Sequence, residues 1–309
     1  MPEPLHLLID GAAPGDAPPP ALPALPRLDA LLRRLRPAGL IECDDDAPDT
    51  PFERALALAH GLPGAPGQRP WAAFEHGIVG TPCAWLRPCH WQIGMDSVRV
   101  LEPARLDLPE AESRALLATV QALLAEDDIA LRYVRPDAWL AQGELFRGLT
   151  TWSLARALQR PLTPDALAAA SAPAQGARLR RLQNECQMLL HTHAVNEARE
   201  AARQWPVNAL WIEGTGALQQ PAAPARGVRI EPRLAQAGGD PTAQTAAWQA
   251  IDADSFATLA QALDAGVDVQ LTLCSTRRAI TLTGARGGLW PRISSVFRPM
   301  SAQSLREQL

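Results

Sequence analysis

The sequence contains no lysine. Arginine alone supplies its 29 basic residues against 33 acidic ones, for a formal charge of −4. A slightly acidic balance excludes a broad electrostatic footprint for nucleic acid or an anionic membrane. Cysteine is scarce: Cys43, Cys83, Cys89, Cys186 and Cys274 are scattered, and no pair has CxxC spacing. This argues against a disulfide framework and against a zinc site. No apolar run reaches the roughly 18 residues of a membrane helix. The opening Met1-Pro2-Glu3-Pro4 places no basic residue before Leu5-His6-Leu7-Leu8-Ile9, so no secretory signal is read there. The expectation is a soluble cytoplasmic protein without a membrane partner. With 309 residues and 47% hydrophobic content, the chain has room for one large or two modest domains, and global disorder is excluded.

The patterning is mixed. Leu5 to Ile9 reads as a buried parallel strand ending at Asp10-Gly11. Pro14, Pro18, Pro19, Pro20, Pro23 and Pro26 make the next stretch a stiff loop, and Leu28, Leu31, Leu32 and Leu35 then have helical spacing. A second helix is predicted over Phe52–Ala59, stopped by Gly61 and Pro63. Strand-like sequence runs from Cys83 to Val100. A helix follows, opened by Pro109 and striped by Leu116, Leu117, Val120, Leu123 and Leu124; Ile129–Val134 reads as a strand after it. In the segment from Arg178, the residues Leu179, Leu182, Cys186, Leu189, Leu190 and His193 share one helical face, and Arg180, Asn184 and His191 lie opposite. Val207–Ile212 is a strand leading into the turn Glu213-Gly214-Thr215-Gly216, the kind of strand end where α/β proteins place ligands. Phe256, Leu259 and Leu263 mark a helix capped by Asp254, and the alternation from Val267 to Leu273 with Ala279–Thr283 predicts a hairpin. The class is α/β.

No standard chemical motif is present. Gly214-Thr215-Gly216 lacks the third glycine and the lysine of nucleotide-binding loops. His191 and His193 stand two apart, about 200° on a helix, and cannot easily share an ion, so His193 reads as a core histidine. Asp44-Asp45-Asp46 reads as a solvated run rather than a cation site, because ligands normally alternate or come from separate strands. Trp71, Trp85, Trp91 and Trp211 read as core, since no basic cluster accompanies them as in a base-stacking platform. His90 and Asp96 could form an acid–base pair, although nothing in the spacing requires it.

The order of segments resembles the archaeal-type cofactor-independent phosphoglycerate mutases of the alkaline-phosphatase superfamily. The resemblance is carried by Leu7-Leu8-Ile9-Asp10-Gly11 with Gly15-Asp16, by Leu25–Leu31, and by Pro70–Ile78. Its most specific part is Asn184-Glu185, His191 to Arg199, and Pro206–Trp211 through Gly216; here Ala194 stands where the family has a proline. The bacterial RpfE-type regulatory proteins are a closer match still. The resemblance implies a phosphatase-like α/β domain from residues 1–95 and 205–309, with an inserted α+β domain at 96–204.

It also implies two metal ions, with Asp10 at the position of the first metal-binding aspartate, and a serine nucleophile that becomes phosphorylated. The segment that should carry the serine reads Asp49-Thr50-Pro51-Phe52-Glu53-Arg54-Ala55, where Thr50 is the nearby hydroxyl, and no histidine follows Gly216. The expectation is therefore a catalytically degenerate binding or regulatory protein, with no cofactor. An active mutase or phosphotransferase using Mn²⁺ or Mg²⁺ is the alternative. A surviving cleft is expected near Asp10, Thr50, Arg87, His90, Asn184, His191, Asn196, Arg199 and Gly214, with Arg87 and Arg199 placed to grip a phosphate or carboxylate. A purely structural role, fastening one domain to the other, is the competing reading of the same residues. A small anionic ligand or a protein is the expected partner, and nucleic acid is the least expected.

Overall fold

A computed structural model describes residues 3–13, 21–95, 97–163, 173–284 and 301–309. Pro14, Gly15-Asp16, Pro18, Pro19, Pro20 and Asp96 lie outside the described residues. Along the chain run β1 (Leu5–Ala13), α1 (Pro26–Leu32), β2 (Arg36–Glu42), α2 (Pro51–His60), α3 (Trp71–His76), β3 (Cys83–Cys89), β4 (Trp91–Ile93), β5 (Val98–Val100), α4 (Glu110–Ala125), β6 (Ala130–Arg135) and β7 (Ala138–Gln142). There follow α5 (Leu154–Gln159), α6 (Pro173–His191), α7 (Ala194–Ala201), β8 (Ala209–Gly216), β9 (Val228–Glu231), α8 (Arg233–Ala237), α9 (Pro241–Ala253), α10 (Ser255–Asp264), β10 (Val269–Ser275), β11 (Arg278–Gly284) and α11 (Ala302–Glu307). No described helix is long and apolar enough to cross a membrane.

The chain folds into two compact units. The first comprises Met1–Asp45, Thr50–Gly61 and Pro224–Leu309; the second comprises Asp46–Asp49 and Leu62–Ala223. Unit 1 holds a five-stranded sheet in the order β2-β11-β10-β1-β9. β1 runs parallel to β10 and β9, while β11 returns antiparallel to both β10 and β2. A central parallel strand is covered on both faces, which is why Leu7, Leu8 and Ile9 form an unbroken apolar run. Leu7, Ile9, Leu271, Leu273 and Leu282 pack with Leu28, Leu31, Trp248, Ile251, Phe256 and Leu259 of the helices. Each such side chain contributes about 1.5–3 kcal/mol of burial. On the other face, Leu8, Cys274 and Ala279 pack with Ala55 of α2.

β1 does not stop at Asp10-Gly11 as its apolar run suggests. It continues through an irregularity in the pairing with β10 to Ala13. Gly11, at φ +75°, permits this, and a Cβ there would approach the backbone of Leu234 and Ala235 to 3.1–3.2 Å. The N-terminus of α1 has no cap of its own; Asp252 of α9 accepts from the Leu28 N–H at 2.9 Å.

Unit 2 holds the antiparallel sheet β6-β7-β3-β8 and a ribbon of β4 and β5. Period-two alternation sends Ala84, Leu86, Trp139, Ala141 and Leu210 against α4 (Leu116, Leu117, Val120, Leu124) and α6 (Leu179, Leu182, Cys186, Leu190). The opposite face carries Trp85, Arg87, Leu140, Trp211 and Glu213. Trp211 packs there with Trp91 and Trp152, and its indole N–H donates to the Trp152 carbonyl at 2.9 Å. All five cysteines are buried thiols.

The unit boundaries differ from those drawn on the sequence. Residues 62–95 and 205–223 belong to unit 2, because β3 bonds β7 on one side and β8 on the other. A boundary at 95/96 or 204/205 would separate strands that share one hydrogen-bond ladder.

Candidate functional site

The nine residues singled out from the sequence divide between the units. Asp10 and Thr50 belong to unit 1 and the other seven to unit 2.

Thr50 is the N-cap of α2 and is 4% exposed. Its Oγ1 accepts from the Glu53 N–H at 3.1 Å and donates to the Glu53 carboxylate at 3.1 Å, while Glu53 reaches back to the Thr50 N–H at 2.8 Å. This reciprocal capping box follows from Thr50-Pro51-Phe52-Glu53, with proline at the first helical position. Asp10, half-buried on β1, accepts from the Gly11 N–H at 2.9 Å. Burial raises its carboxyl above the ordinary range, partly offset by that bond.

In unit 2, His90, Asn196 and Arg199 converge on the backbone of 205–208. The His90 imidazole Nδ1 bonds the Pro206 carbonyl at 2.8 Å, and its ring packs 4.9 Å from that of Trp205. Asn196, 2% exposed, donates to the carbonyls of Leu190 and Val207 at 2.7 Å each and accepts from the Val207 N–H at 2.8 Å. Arg199, 1% exposed, donates to the Trp205 carbonyl at 2.8 Å, to Glu112 at 2.6 Å and to the Leu106 carbonyl. These three residues fasten the segment entering β8, so Arg199 is enclosed rather than presented to a ligand. The candidate acid–base partner of His90, Asp96, lies outside the described residues.

The other four candidates lie elsewhere. Asn184 and His191 are exposed on the polar side of α6. The helix ends at His191, so His193 is not on its apolar stripe; it is the N-cap of α7, its Nδ1 accepting from the Val195 N–H at 3.1 Å. Arg87 donates to Glu213 at 2.7 Å and lies 5.1 Å from the centre of the Trp85 ring. Gly214 is not in a turn beyond the strand. β8 runs through Gly216, and the register with β3 slips between Cys83 and Trp85, a bulge that Gly214 forms at φ +63°. A Cβ there would meet Trp71 at 3.2 Å, so the glycine serves close packing of α3 on the sheet.

The aspartate run is divided as well: Asp45 pairs with Arg277 in unit 1 at 3.2 Å, and Asp46 with Arg160 in unit 2 at 3.1 Å. Asp49 forms a buried pair with Arg69. Sequence reasoning missed Glu213 and Glu112, the partners of Arg87 and Arg199. The alternation Trp85-x-Arg87 opposite Trp211-x-Glu213 is the one signal that could have paired the first two.

The resemblance to the mutases implies a pair of metal ions. Among the described residues, no group of three or more His, Cys, Asp or Glu gathers closely enough to hold a metal ion. The residues present do not fit a two-metal centre.

No protein-family model matches the sequence, and no curated protein matches it. Among the solved structures similar to this chain, two match it over most of its length. The cofactor-independent phosphoglycerate mutase from Thermoplasma acidophilum DSM 1728 is 13% identical, covers 92% of this chain and 91% of its own, and has a TM-score of 0.38. The PH0037 protein from Pyrococcus horikoshii is 14% identical, covers 99% of this chain and 93% of its own, and has a TM-score of 0.47. At these values neither likeness carries an activity to this chain.

Proposed function

We propose that this chain is a catalytically degenerate, phosphoglycerate-mutase-like protein that binds a small phosphorylated or carboxylate ligand in a regulatory role. The mutase-like part of the reading, including its closer tie to the RpfE-type regulators, rests on the segments from Leu7 to Gly216 that resemble those families. The degenerate part rests on one observation. The hydroxyl nearest the expected nucleophile position, that of Thr50, is buried and engaged as both donor and acceptor with Glu53. An attacking alcohol needs an open approach, whereas this one is buried and closes a helix end. The enclosure of Arg199 and Asn196 supports the same reading.

The test is a phosphotransfer assay on the purified full chain with phosphoglycerates and with an aryl phosphate, each with added Mn²⁺ or Mg²⁺. The expected result is no turnover above a protein-free blank. Metal-dependent turnover that disappears in both Asp10→Ala and Thr50→Ala would overturn the reading in favour of an active mutase or phosphotransferase.

A further inference from the structure

We propose that the hydrogen bond from the Ala225 backbone to the His60 imidazole is an acid-sensitive clamp on two of the places where the chain passes between the units. The proposal goes beyond the binding role above and does not depend on it. His60 and Ala225 both belong to unit 1. The chain leaves that unit after Gly61, one residue beyond His60, and returns to it at Pro224, one residue before Ala225.

Local sequence places the ring there. Gly61, at φ +64°, stops α2 in the left-handed conformation that ends helices, which leaves His60 as its last residue. The Ala225 N–H donates to the His60 Nδ1 at 3.2 Å. A tight turn follows, closed by the Val228 N–H on the Ala225 carbonyl at 3.2 Å, and the His6 N–H donates to the Gly227 carbonyl at 2.9 Å. The turn feeds β9, a four-residue strand at the edge of the sheet, beside β1. Residues 219–227 contain no helix or strand, so point contacts such as this one order the returning chain.

An imidazole nitrogen accepts only while it carries no proton. In the neutral ring bonded this way, the proton sits on Nε2. A second proton, on Nδ1, turns the acceptor into a donor facing another donor, and the clamp opens. On the sheet face under α2 the titratable groups are His6 and Asp10 of β1 and the buried thiol of Cys274 on β10, with Cys43 just past β2; β11 and β2 present Ala279, Thr281 and Ile41 there. Glu3, Arg226 and Asp268 are exposed near the ends of β1, β9 and β10. Burial lowers the pKa of His60 below its ordinary 6.5, and His6 is pushed down to about 4 by burial with His60 adding. The clamp is therefore closed at neutral pH and opens as pH falls below 6.5.

The experiment is amide hydrogen exchange of the full chain, as protection factors from about pH 7.5 to about pH 4.5, beside an NMR titration of the His60 ring. Protection of the Ala225 amide is expected to fall about tenfold, in step with the charging of His60. His60→Ala should lack that protection at every pH, and His6→Gln should keep the fall, which assigns it to His60. At about pH 7.5 a broad-specificity protease should cut within 219–227 several-fold faster in His60→Ala than in the parent chain. If His60→Ala fails to fold, His60→Gln decides, since neither nitrogen nor oxygen of its amide titrates and its protection should not change with pH. An Nδ1–H tautomer at neutral pH overturns the proposal. So does a fall in protection that persists without His60, the absence of any fall in the parent, or equal cleavage of the parent and His60→Ala.

Discussion

In unit 1 His6, Asp10 and Cys274 beside the sheet are held in the form that burial favours, whereas in unit 2 Arg199, Arg87 and Arg69 each meet a carboxylate. His6 on β1 is pushed down to about 4 by burial, with His60 adding, and its Nε2 bonds the Thr272 hydroxyl at 2.8 Å. Asp10 is raised by burial, and Cys274 is raised further by burial, by Asp10 and by Cys43. Glu231 departs from this pattern, since Arg233 and Ser255 hold it below the ordinary range against its burial. In unit 2, Arg199 meets Glu112, Arg87 meets Glu213 and Arg69 meets Asp49. The difference separates two meanings of a buried polar residue. A paired and fully bonded one holds the fold together, and a lone one is tolerated at a cost.

This contrast is open to attack by substitution, and the largest effect is expected at Arg199. Replacing it by Ala leaves Glu112 and the carbonyls of Leu106 and Trp205 without their donor, and should cost about 3–5 kcal/mol by urea denaturation. Asn196→Ala strands the two carbonyls and one N–H that its amide bonds, for about 2–3 kcal/mol. Asn196→Asp should rescue little, because a carboxylate cannot donate to a carbonyl. Gly214→Ala should cost about 1–3 kcal/mol through its left-handed backbone and the approach to Trp71, read as a fall in thermal midpoint and a changed near-ultraviolet tryptophan signal.

Thr50→Ala should cost about 1 kcal/mol, with faster amide exchange in the first turn of α2, and Thr50→Ser should restore most of it. A nucleophilic threonine would instead show its loss in turnover. A pH dependence sharpens the unit 1 side. His6 is neutral when folded, so its contribution is complete above the unfolded value of 6.5 and is lost as pH falls from there through about 4. The urea midpoint of the parent chain should therefore fall relative to that of His6→Gln as pH drops from 6.5 through about 4, with a constant difference between them above 6.5.

Local chemistry made several elements legible in the sequence. Glycine and proline punctuation placed α2, the stripe from Leu116 to Leu124 placed α4, and alternation placed the β10–β11 hairpin. β2 went unread: its Arg36-Pro37-Ala38-Gly39 start gives no strand signal, and pairing with β11 makes it a strand. Gly214 looked like a ligand turn because a bulge and a turn demand the same backbone angle, and only the β3 partner distinguishes them.

The sequence by itself determined the α/β class, most of the apolar faces and the missing serine, since these depend on neighbours within a few positions. Which carboxylate meets which arginine, which unit owns β3 and β8, and whether a polar side chain is enclosed or offered were decided by tertiary structure alone. Glu112 and Arg199 stand 87 positions apart. No local periodicity relates residues so distant; packing and strand register bring them together.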